Sequence, residues 1–128
     1  MRISSLALVA ATALAAPPAT AQVPGVVEVH LSNYRFTPRT IVLDHGRSYV
    51  LRLVNASGGG HDFTAPAFFA NANVAARDRR WTMEGEVEVP PRQVREIHLT
   101  APGAGVYKLK CSHSFHKMLG MSGQIVVR

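Results

Sequence analysis

The chain has 128 residues, one cysteine, six histidines and a formal net charge of +6. That length fits a single domain with a core of its own, and a lone cysteine excludes an internal disulfide. The basic residues are scattered, and only Arg77, Arg79 and Arg80 cluster, without interleaved aromatic rings, so the charge does not describe a nucleic-acid surface.

At the start, Arg2 precedes an apolar run over residues 6–16, then Pro17, Pro18 and the small-residue pattern Ala19-Thr20-Ala21. This reads as a secretory signal peptide, residues 1–21, cleaved after Ala21. The run is shorter than the ~20 residues a membrane-spanning helix needs, which favours export to the periplasm over a stable membrane anchor. Cleavage removes one basic residue and leaves a basic mature domain, residues 22–128. In an oxidising compartment a metal is one reason to keep a single thiol, and an inert buried thiol is the other.

In the mature chain Val27, Val29 and Leu31 alternate with Glu28, His30 and Ser32, the period of a half-buried strand with His30 outward. A second strand over residues 36–43 is interrupted by Pro38, and Asp44-His45-Gly46 reads as a turn. Residues 47–55 place Tyr49, Leu51 and Leu53 on one face before Ser57-Gly58-Gly59-Gly60 breaks the strand. Those glycines suit either a close backbone approach or a flexible loop. Between residues 65 and 80 the period changes: Pro66 can open a helix, and Phe68, Ala72, Ala75 and Ala76 share a helical face. Glu84, Glu86 and Glu88 alternate with Gly85, Val87 and Val89, so the glutamates line a solvent face rather than a catalytic pair. Residues 94–99 form another strand with Ile97 and Leu99 inward and His98 outward. After the turn at residues 101–105, Tyr107, Leu109 and Cys111 share one face, and residues 123–128 form the last strand. About seven short strands, one short helix and regular turns predict an all-β sandwich.

The chemistry concentrates in residues 111–121, where Cys111, His113, His116, Met118 and Met121 lie in one short stretch. A thiolate, two imidazoles and a weak axial thioether make a blue-copper site, so a second histidine is required from elsewhere, and His61 is the natural candidate. A binuclear copper centre needs a second bridging cysteine, which the chain lacks, and zinc leaves the thioether unexplained. Cysteine catalysis with His113 or His116 leaves His61 and Met121 idle and offers no oxyanion device.

His61-Asp62-Phe63, then Cys111-x4-His116-x4-Met121 and Gly123-Gln124-Ile125-Val126-Val127, resemble the plastocyanin/azurin family of cupredoxins. The resemblance covers most of the mature chain. It implies a Greek-key β-sandwich holding one mononuclear type 1 copper, with His61, Cys111, His116 and Met121 as ligands. His113 and Met118 remain further candidate ligands inside the loop. Many members carry Asn or Ser after the first histidine, where this chain has Asp62. The expected function is one-electron transfer by a monomer whose positive surface attracts redox partners with acidic docking patches. A copper carrier, chaperone or scavenger is the competing class, and an accessory domain with structural copper or none is a third.

Overall fold

The computed structural model describes residues 14–17 and 21–128. Most of the expected signal peptide, residues 1–21, lies outside the described residues. The remainder is the all-β sandwich that the alternation predicted, built from two five-stranded sheets. The first sheet runs β2 (Arg35–Thr37), β1 (Gly25–Ser32), β4 (Ser48–Asn55), β8 (Val94–Thr100) and β6 (Asn73–Val74). The second runs β3 (Thr40–Leu43), β10 (Ser122–Val127), β9 (Gly105–Lys110), β5 (His61–Thr64) and β7 (Glu86–Val89). Neighbours such as β1 and β4, or β3 and β10, pair in parallel although they are distant in sequence, so the connections cross between the sheets in Greek-key fashion.

Local sequence explains the element boundaries. In β4 the burial alternates at every residue, placing Tyr49, Leu51, Leu53 and Asn55 inward. Pro38 cannot donate to a ladder and separates β2 from β3, which join opposite sheets. The two-residue β6 and three-residue β2 are too short for a period to declare them, and they account for much of the higher strand count.

The predicted helix begins as expected, with Pro66 in the first turn of α1 (Pro66–Asn71) and Phe68 and Phe69 buried. It ends before Ala75 and Ala76, because residues 73–74 instead pair with β8. A 3-10 turn (Ala76–Asp78) and α2 (Arg79–Thr82) follow, and a third short helix, α3 (Ser114–Met118), occupies the cysteine loop. The arginine cluster braces this excursion: Arg79 Nε donates to Val74 O at 3.2 Å, and the Trp81 ring lies between Arg80 and Arg95, each 4.7 Å from its centroid. His98 faces out of the sandwich as predicted but is covered by the 3-10 turn, where Asp78 accepts both its backbone N–H and its Nδ1.

Both sheets contribute to one apolar core, with Leu53 and Ile97 from the first meeting Phe63, Leu109 and Ile125 from the second. Phe63 packs edge-on against Phe36 and Phe69. Truncating a ring buried this fully costs on the order of 3–5 kcal/mol. This packing fixes β5 and β9, the two strands that carry the candidate site.

Candidate metal centre

The first histidine enters from β5, whose four residues are all buried. The strand lies between β9 and β7, with His61 opposite Val89 and Phe63 opposite Val87. Strand alternation therefore sends His61 and Phe63 to one face and Asp62 and Thr64 to the other. Cys111 follows the last residue of β9 and, like Leu109 two positions earlier, is buried, as the period predicted.

Residues 111–121 bridge β9 and β10, which pair directly. The Cys111 N–H donates to Met121 O and the Met121 N–H donates to His116 O, both at 3.0 Å. The loop is thus closed by its own backbone at the point where the ladder ends. Gly120, at φ +80°, takes the left-handed turn that returns the chain to Met121.

These elements bring three of the predicted donors together. One ligand atom each from His61, Cys111 and His116 lies within 4.8 Å of the others. The two Nδ1 atoms are 3.1 Å apart, and Cys111 Sγ is 3.5 Å from His116 Nδ1. Met121 is completely buried at the end of the same loop, whereas Met118 on α3 is 83% exposed. His113 stands outside the trio: its ring stacks on His116 with centroids 5.2 Å apart, and its Nε2 reaches Glu88 at 3.2 Å and Asp62 at 3.6 Å. A Tyr34 ring tilts against His116 at 4.9 Å. Of the triple glycine, Gly58 and Gly59 face open space and only Gly60 approaches the loop, near Glu88 and His113.

Asp62 ties the two halves of the site together. Its carboxylate accepts from the Ser112 backbone N–H at 2.8 Å, the Ser112 hydroxyl at 2.5 Å and the Thr64 hydroxyl at 2.6 Å. Its backbone N–H points at Cys111 Sγ from 3.5 Å. Burial pushes the Cys111 thiol above its ordinary pKa, and the Asp62 and Glu88 carboxylates add to this against the N–H groups of Asp62 and His113. Burial likewise holds His61 below the ordinary imidazole value, helped by the His116 and His113 rings and opposed by Asp62. A proton therefore binds weakly to His61 and strongly to Cys111.

That chemistry suits a thiophilic, imidazole-binding cation. The neutral His61 offers a lone pair, and a metal displaces the thiol proton. A thiolate with two nitrogens, and a buried thioether in the same loop, fits copper in both oxidation states better than zinc. The partners of His61 Nε2, namely Asn33 and Ser57, and the Asp62–Ser112–Thr64 cluster were not singled out from the sequence. Short polar residues near Gly declare only turns, and nothing local shows which ring they will meet.

A family model described as a cupredoxin-like domain matches residues 4–127. No curated protein matches the chain in sequence. Among solved structures, the chain is similar to dithionite-reduced auracyanin from the photosynthetic bacterium Roseiflexus castenholzii, with a TM-score of 0.59 at 14% identity over 84% of this chain and 99% of that one. It is also similar to auracyanin A, a "blue" copper protein from the green thermophilic photosynthetic bacterium Chloroflexus aurantiacus, with a TM-score of 0.58 at 19% identity over 82% of this chain and 99% of the other. A third similarity is to the McoA multicopper oxidase of the hyperthermophile Aquifex aeolicus, with a TM-score of 0.65 at 15% identity, covering 88% of this chain but 31% of the oxidase. At these identities the likeness is one of fold.

Proposed function

Because the chain belongs to the cupredoxin-like domain family, we propose that it is a periplasmic one-electron carrier whose copper ligands are His61, Cys111, His116 and Met121. The family and the donor set together indicate a single type 1 copper. The observation that carries the reading is the convergence of one ligand atom each from His61, His116 and Cys111 within 4.8 Å, held by the buried strand β5, the end of β9 and a backbone-closed loop. Copper bound there would supply a Cu(I)/Cu(II) couple. The protein's part is to hold the donors in one arrangement, so that little must move when the charge changes. His61 and Cys111 are buried and provide the rigid side, whereas His116 is partly exposed on the loop and offers the short path toward a redox partner. The basic surface would draw in partners with acidic docking patches, more strongly at low ionic strength.

Among the described residues no helix is long and apolar enough to cross a membrane. Cleavage after Ala21 would release a mature protein beginning at Gln22, and intact-mass analysis of exported material that retained residues 1–21 would remove that part of the reading.

The exposed Met118 and partly exposed His113 favour a second reading, in which the loop passes Cu(I) to an acceptor. Voltammetry and copper transfer measured on one preparation separate the two. An electron carrier cycles reversibly at an electrode and keeps its copper through many turnovers. Rapid metal release to an acceptor protein with sluggish or irreversible cycling would overturn electron transfer in favour of copper handling.

A further inference from the structure

The nitrogen that His61 presents to the metal centre is selected by residues on two loops that hold no candidate ligand. Asn55 is the last residue of β4 and its inward position is 1% exposed, so its amide must be fully partnered. Its Nδ2 faces three carbonyls, donating to Gly59 O at 2.8 Å, Val89 O at 2.9 Å and Pro90 O at 3.3 Å. An amide turned the other way would set an oxygen against those carbonyls, so Oδ1 faces Ser57. There it accepts from the Ser57 backbone N–H at 3.0 Å and the Ser57 hydroxyl at 2.7 Å. With Asn55 Oδ1 and, at 3.1 Å, Gly59 O both taking its proton, the Ser57 oxygen has only lone pairs left for His61 Nε2, which lies 3.0 Å away. Asn33, in the turn between β1 and β2, adds its Oδ1 at 3.0 Å from the same nitrogen.

We infer that Asn55, Ser57 and Asn33 form a positioning relay that keeps the His61 proton on Nε2 and so aims the Nδ1 lone pair at Cys111 and His116 before any metal arrives. The inference rests on the copper-site reading for its purpose, though not for its geometry. Two oxygen acceptors at Nε2 and the His116 Nδ1 at the opposite nitrogen leave a single tautomer with both ring nitrogens of His61 satisfied, Nε2–H donating and the Nδ1 lone pair accepting from His116. The relay also fixes the ring plane, since Ser57 and Asn33 approach from different loops. A metal entering the site then meets a ligand already in its binding form. Partners of this kind on a metal-bound histidine typically alter affinity about 10–100-fold.

The test uses the metal-free and copper-loaded forms of the wild type, Ser57→Ala, Ser57→Thr and the double variant Ser57→Ala/Asn33→Ala. Asn55 is left intact because it also anchors the 55–61 loop. Nitrogen-15 imidazole spectra of the metal-free protein at neutral pH report the tautomer. The wild type and Ser57→Thr should carry the His61 proton on Nε2, and the double variant should lose that single state. Competition titration should show Cu(II) affinity falling about 10–100-fold in the double variant and recovering in Ser57→Thr. Circular dichroism melting of the metal-free forms checks that folding is retained. Should the double variant fail to fold, Ser57→Ala alone, with one acceptor left, is read by the same spectra and titration. A wild-type His61 with its proton on Nδ1, or a folded variant with unchanged tautomer and affinity, overturns the relay. A wild type with the expected tautomer but no copper binding leaves the relay standing and removes the copper reading.

Discussion

Replacing Asp62 by asparagine removes a negative charge from beside the thiolate while keeping the size of the side chain. One Asp62 oxygen, Cys111 Sγ and a His113 ring nitrogen lie within 4.8 Å of one another. At that separation two unit charges interact by about 3.5 kcal/mol for an effective dielectric of ~20. Reduction of the bound copper adds one electron to the group of atoms that includes this sulfur, so the carboxylate favours the oxidised form and its removal favours the reduced one. Taken whole, that energy is worth about 150 mV for a one-electron couple. The three hydrogen bonds to Asp62 from Ser112 and Thr64 already draw off part of its charge. The expected result for Asp62→Asn is therefore a rise in potential of about 50–150 mV. Protein-film voltammetry of the copper-loaded protein gives the number. Ser112→Ala serves as the control, since it loosens the same loop without removing the charge and should move the potential less. A fall in potential, or a change below about 20 mV, a third of a tenfold change in the redox equilibrium, would refute the electrostatic reasoning.

His116→Ala should abolish the thiolate-to-copper absorption band, whereas His113→Ala, which removes only a ring stacked outside the trio, should leave most of it. Met121→Leu should retain copper and raise its potential, while Met118→Leu, at an exposed position, should change it little. A potential moved by Met118→Leu alone would show that the loop is read in the wrong register. Because burial lowers the His61 pKa, the unfolded chain binds the extra proton, and metal-free stability should fall as pH drops through the ordinary imidazole value of about 6.5. The raised Cys111 pKa acts at the other end: the unfolded thiol ionises first, so stability should also fall as pH rises past about 8.5. Urea midpoints of the metal-free protein across that range check both limbs, and His61→Ala should flatten the acidic one.

Much of this molecule could be read from period and spacing. The alternation read over residues 27–32, 47–55 and 94–99 became β1, β4 and β8, because each of those strands buries one face more deeply than the other. The donors were legible because Cys111 lies on the inward phase of its strand and His116 and Met121 follow within one loop. Contacts between elements were not. Asn33 and Ser57 reach His61 only because β1 and β4 are paired in parallel, which brings the turn after one strand beside the loop after the other. The Asp62 carboxylate finds Ser112 because β5 lies next to β9. His98 shows the same limit: its outward direction was readable, but its cover by Asp78 depends on a 3-10 turn that pattern alone does not declare.

The backbone closure of residues 111–121 bears on how such a protein can diversify. The Cys111 and Met121 main chains bond to each other, and β9 and β10 hold the two ends in register whatever side chains lie between. Three of the four proposed donors, and the exposed Phe115, Met118 and Leu119 beside them, are carried by this one segment. The sandwich contributes one donor, His61. Insertions, deletions or exchanges within the segment can therefore retune potential and partner choice together while leaving the sheets untouched. Heritable variation in this protein has a natural unit, the one segment strung between β9 and β10.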